Sequence, residues 1–69
     1  MKSVPGGKLA RAVEQRGWSL LRVNGSHHIY GKSGETARLS IPVHGAKPLK
    51  IGLQQHLMKI AGLTEDDLN

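Results

Sequence analysis

The dipeptide Asn24-Gly25 divides two short runs of strand-forming character, residues 18–23 and 26–30. Both of its residues accept positive φ, so the pair favours a type I′ hairpin turn. A hairpin here puts a sheet at the centre of the chain. Ahead of it, residues 8–16 place Leu9, Ala12 and Val13 at helical spacing, and Gly17 stops that helix with Arg16 in its last turn. Behind it, Lys32-Ser33-Gly34-Glu35 reads as a looser turn. Residues 36–41 then alternate, with Ala37, Leu39 and Ile41 on one face and Arg38 and Ser40 on the other, until Pro42 ends the strand. Residues 43–49 are a loop. Residues 50–61 form a second helix with Leu53, Leu57, Ile60 and Ala61 on one side, closed by Gly62 in the left-handed region with Leu63 folding back.

The order α-β-β-β-α predicts an α+β domain of two layers, a three-stranded antiparallel meander with both helices on one face. The double-stranded RNA-binding fold has the same order, although a shared fold carries no function by itself. A chain of 69 residues holds a single domain, 1–69. A domain of this size buries only about 60% of its unfolded surface, which leaves little core to enclose a deep cavity. The expected site is therefore shallow, and suits a polymer better than a small metabolite. Residues 1–7 are expected to be a flexible lead-in, and 64–69 a frayed end or a last short turn.

Cysteine is absent, which excludes a disulfide framework, a thiol nucleophile and a thiolate metal site. Residues 1–7 lack the apolar stretch of a secretory signal, and no apolar run approaches the roughly 20 residues of a membrane span. A cytoplasmic location without membrane association is expected. Net charge is +5, and three of the five acids, Glu65, Asp66 and Asp67, lie at the C-terminus. All ten Lys and Arg residues precede them, against only Glu14 and Glu35. Such a surface attracts polyanions, although basic residues also serve solubility alone.

His27, just past the turn, is the principal candidate for chemistry. With Asn24-Gly25 as a two-residue loop, Val23 faces Ser26, Arg22 faces His27 and Leu20 faces Ile29. Arg22 would then hold a phosphate beside an imidazole acting as general base. A half-buried strand histidine held by a backbone hydrogen bond is the alternative, and spacing does not choose between them. Ser26 either orients the loop or contacts phosphate. His28 alternates to the opposite face, where a structural role is expected. His44, in the loop beyond Pro42, is a second candidate as general acid or phosphate ligand, or else a solvated loop residue. His56 reads as surface. Lys47 and Lys50 flank the start of the second helix, and with Arg22, Lys32 and Arg38 they are candidates for an RNA-backbone track. Trp18 and Tyr30 are the only aromatic residues, so base stacking is scarce and recognition should run mainly through the backbone. The histidine spacing makes a poor metal site, and no metal or small-molecule cofactor is expected.

The ordered set Gly17-Trp18, Arg22, Gly25-Ser26-His27 and Tyr30, then Pro42, His44, Leu49, Gly52, Ala61, Gly62 and Leu63, resembles the HicA family of small ribonuclease toxins over residues 9–63. The resemblance implies a double-stranded RNA-binding-like fold and a metal-independent endoribonuclease that cleaves mRNA. It implies that His27 is essential, as general base or acid for attack of the 2′-hydroxyl on the adjacent phosphate. It also implies a HicB-type antitoxin as partner, covering the histidine with an acidic or dipolar surface. A non-catalytic RNA-binding module of the same fold is the alternative reading. A protein-interaction domain whose basic face meets an acidic protein is a third.

Overall fold

A computed structural model describes residues 1–69. The elements are α1 (Gly6–Gln15), β1 (Ser19–Asn24), β2 (His27–Gly31), β3 (Leu39–Pro42) and α2 (Ile51–Ala61), followed by a short 3-10 turn, Glu65–Leu68. The strands form one antiparallel sheet in the order β1-β2-β3. Tyr30, Leu39 and Ile41 bury one face of it against Leu9 and Val13 of α1 and Leu57, Met58 and Ala61 of α2. This is the expected two-layer α+β arrangement.

α1 begins two residues earlier than its apolar spacing indicates. The Pro5 carbonyl accepts from the Lys8 and Leu9 amides and so starts the first turn before any apolar residue marks it. The close fit of Gly6 sets where that turn lies, because a Cβ there would fall 1.9 Å from the Pro42 carbonyl oxygen. At the other end, the Trp18 amide returns to the Val13 carbonyl at 3.1 Å, which turns the indole straight into the core.

α2 ends as expected. Gly62 has φ 73°, and the Leu63 amide reaches back to the Met58 carbonyl at 2.9 Å, so Leu63 closes over the helix. Its buried stripe differs from the expected one: Gln54, Leu57, Met58 and Ala61 face inward, while Leu53 and Ile60 flank them half-buried. Gln54 is fully buried because both ends of its amide are satisfied. It accepts from the Val4 amide at 2.8 Å and donates to the Lys2 carbonyl at 3.0 Å. The Leu49 amide donates to the Val4 carbonyl, and Pro5 bridges to Pro48. The lead-in, expected to be flexible, therefore carries hydrogen bonds to α2 and the loop before it.

The C-terminal turn is fastened as well. Thr64 and Asp67 form a reciprocal capping box, Arg16 grips both carboxylate oxygens of Asp67 at 2.9 Å, and Leu68 is buried. The backbone hydrogen bond from Thr64, and then Arg16, hold the Asp67 carboxyl below its ordinary pKa.

β1 is an edge strand, and all six of its residues are exposed, including Leu20, Leu21 and Val23. β3 is shorter than the alternation at residues 36–41 indicates. The Arg38 guanidinium donates to the Glu35 and Ala37 carbonyls, so this stretch folds into a loop and pairing starts only at Leu39.

Candidate active site

The β1–β2 turn sets the site. Asn24 pairs with His27, so the two-residue loop is Gly25-Ser26, one position later than the sequence suggests. Gly25 has φ 63° and no non-glycine residue has positive φ, the sign pattern of a type II′ turn with glycine first. Asn24 thus stays extended within β1. A type I′ turn would have required positive φ at Asn24 as well.

The shift changes the partners. Arg22 opposes Ile29 rather than facing His27, and Val23 opposes His28. Moving the loop by one residue moves each partner by two, so the side chains next to the turn keep their faces. The β-bulge at Leu21 then shifts the pairing by one, so Leu20 pairs with Tyr30 rather than with Ile29 and shares the face of Tyr30. Arg22 then lies on the same face as His27 as its diagonal neighbour, about 7–8 Å away between strands.

That face is turned away from the helices. It presents His27 and Ile29 from β2, Ser40 and Pro42 from β3, and Arg22 and Asn24 from β1. His27 is exposed and makes no side-chain hydrogen bond. His28 pairs with Ile41 on the helix-facing side, opposite to His27, and is half-buried.

A contact invisible in the sequence completes the site. His27 pairs with Pro42 across β2–β3. The chain leaving Pro42 is then laced to the turn: the Val43 amide donates to the Ser26 carbonyl at 2.8 Å, and the Ser26 hydroxyl lies 3.2 Å from His44 Nε2. The turn that carries His27 and the loop that carries His44 are thus one joined unit. Only the β2–β3 register creates this juxtaposition, and the loop 32–38 that sets the register has no sequence signature for it.

Beside His44 runs a shallow cleft of about 210 Å³ between Pro42 and Leu53, with Lys47 and Lys50 at its rim. It is smaller than the roughly 300–1,000 Å³ that encloses a drug-sized ligand. The site suits part of a polymer.

The five candidate cations divide accordingly. Arg22 shares the His27 face, and Lys47 and Lys50 share the cleft with His44. Arg38 packs against Gly31, at the far end of β2 from His27, roughly 14 Å along the strand. Lys32 continues past that end toward Gly17, roughly 17 Å from His27. The fold does not gather these two at the histidines.

Neither aromatic residue is available for stacking, because Trp18 and Tyr30 are only 3% and 2% exposed. Tyr30 instead donates its hydroxyl to the Glu14 carboxylate at 2.5 Å. Burial, and then the neighbouring Glu14 carboxylate, push its pKa well above the ordinary tyrosine value. No group of three His, Asp or Glu side chains lies close enough to hold a metal ion, and no helix is long and apolar enough to cross a membrane.

A comparison with curated proteins finds no match. A family model does match: the HicA toxin of bacterial toxin–antitoxin systems, over residues 6–63. That span runs from the first residue of α1 to the residue that folds back over α2, and it takes in the hairpin turn, both histidines and the lysine-rimmed cleft. The chain belongs to the HicA toxin family.

Proposed function

We propose that this toxin is an endoribonuclease acting on mRNA, with His27 as a proton-transfer residue. The observation that carries the reading is the exposed, unpartnered His27 on an open sheet face, with Arg22 on the same face. RNA supplies its own nucleophile. The imidazole has to take the 2′-hydroxyl proton while a cation offsets charge on the phosphate, and neither task requires a metal. Ser26 orients the turn. Arg22, Lys47 and Lys50 hold backbone phosphates near the scissile bond, and Lys32 and Arg38 meet RNA further along the face. Two buried aromatics leave no stacking platform, so sequence preference is weak. The partner is a HicB-type antitoxin whose acidic or dipolar surface covers His27, and the pair works in the cytoplasm.

The test is cleavage of a long end-labelled single-stranded RNA in EDTA, with His27→Ala purified alongside. The wild type should give fragments and the variant should be slower by about 10²–10⁴-fold, the usual contribution of one acid–base residue. A folded His27→Ala protein with full activity would overturn the role of His27. A wild type that shifts RNA at low salt without cutting it would replace the ribonuclease reading with a non-catalytic RNA-binding module.

A further inference from the structure

We propose that His44 is the second proton-transfer residue of the site, protonating the leaving 5′-oxygen, and that the cleft beside it seats the nucleoside carrying that oxygen. The inference rests on the ribonuclease reading above.

Three observations support it. First, cleavage by the 2′-hydroxyl has two proton transfers, one at the entering oxygen and one at the leaving oxygen. These oxygens lie in line on opposite sides of phosphorus, so a single rigidly held imidazole is poorly placed for both. Secondly, the fold flanks one short edge with two histidines. His27 pairs with Pro42, and His44 follows Pro42 by two residues and returns to Ser26, the residue before His27. In this proposal the scissile phosphate lies over the edge between Ser26 and Pro42, within reach of both imidazoles. Thirdly, the two rings are held differently. His27 has no side-chain partner, which leaves it free to accept a proton, whereas His44 Nε2 is 3.2 Å from the Ser26 hydroxyl. A protonated imidazole donates from both nitrogens, so His44 can hold Ser26 through Nε2–H and present Nδ1–H outward.

The cleft determines which product lies on the His44 side. His44, Lys47 and Lys50 ring a floor that includes Pro48 and Leu49. An apolar floor suits a ribose and base, and two ammonium groups suit the next phosphate downstream. The step balances without another reactant. The 2′-oxygen bonds to phosphorus as its proton passes to His27, and the P–O5′ bond breaks as His44 gives its proton to O5′. A 2′,3′-cyclic phosphate and a 5′-hydroxyl leave, and the two histidines exchange protons with water to reset.

The test uses two substrates and three variants. The substrates are a ribonucleotide chain and a ribonucleoside 3′-aryl phosphate, whose phenolate departs without protonation. On RNA, His44→Ala should lose about 10²–10⁴-fold, as His27→Ala does. On the aryl ester, His44→Ala should recover to within about tenfold of wild type, while His27→Ala remains defective. The wild-type RNA profile should be bell-shaped in pH, and His44→Ala should lose the alkaline limb. Ser26→Ala keeps the imidazole and removes only the hydroxyl contact, so it should lose far less than His44→Ala. Equal losses for His44→Ala on both substrates, or equal losses for Ser26→Ala and His44→Ala, would make His44 a support for the turn and overturn the proposal. So would a fully active His44→Ala enzyme. If wild type cuts RNA, the ribonuclease reading survives any of these results; if wild type cuts neither substrate, that reading itself fails.

Discussion

Replacing Gly6 by alanine tests how closely α1 is fitted against the end of β3. An added Cβ would meet the Pro42 carbonyl oxygen at 1.9 Å, its carbon at 2.9 Å and the Val43 Cα at 3.2 Å. The first contact is about 1.5 Å short of the 3.4 Å at which ordinary contact begins. All three atoms belong to backbone, and that backbone is fixed by the pairing of Pro42 with His27 and of Val43 with Ser26. No rotamer change relieves the clash, so helix and strand must separate. Overpacking of this kind costs about 1–3 kcal/mol, and alanine returns at most about 1 kcal/mol in helix propensity, less in a first turn. A net loss near 2 kcal/mol is expected. It is a large share of the roughly 3–10 kcal/mol that a domain of this length possesses, and it lowers Tm by about 8–16 °C. Gly7 is the control, because a Cβ there meets nothing within 4 Å. Gly7→Ala should be neutral or stabilising by up to about 1 kcal/mol. Thermal and urea unfolding of both variants decides the matter. A Gly6→Ala protein as stable as Gly7→Ala would refute the close approach.

Other perturbations probe the remaining fastenings. Gln54→Leu leaves the Val4 amide and the Lys2 carbonyl without partners, and should cost about 2–3 kcal/mol, with faster hydrogen exchange at Val4 and Leu49. Tyr30 is the only tyrosine, so ultraviolet titration reports it alone; in the native state it should stay protonated through the range near pH 10 where an unfolded tyrosine ionises. Because its folded pKa is raised, its contribution is complete below about pH 10 and is lost as pH climbs toward the folded value, so wild type should approach Tyr30→Phe in strong alkali. Asp67 has the opposite sign: its lowered pKa gives a contribution present above about pH 4 and lost below it. The stability difference between wild type and Asp67→Asn should close in acid, and a difference that persists there would count against the Arg16 clasp.

The parts of the fold legible in the sequence are those fixed by nearest neighbours. Gly62 with Leu63 marks a helix end, Leu9, Ala12 and Val13 mark a helix face, and a glycine-containing turn marks the hairpin, each through local backbone preference or local spacing. What the local pattern missed depends on distant partners. The hairpin loop lies one position later because a Gly25-Ser26 loop and an Asn24-Gly25 loop are both good local turns, and nearest-neighbour preference does not choose between them. Gln54 looks like a surface residue of α2 until Lys2 and Val4, some fifty positions away, supply both its hydrogen bonds. In the candidate site, His27 and His44 are each visible as residues of interest. Their connection through Ser26 exists only once β3 has paired with β2.

The exposed edge of the sheet bears on the handling of this protein. β1 offers a row of unpaired backbone groups flanked by Leu20, Leu21 and Val23, a template on which another copy can extend the sheet. The bulge and Arg22 interrupt that template, but the main guard against it is the net charge of +5, which makes copies repel. Added salt screens this repulsion over a Debye length of about 10 Å at 0.1 M and less above it. Colloidal stability of the isolated chain should therefore fall as ionic strength rises.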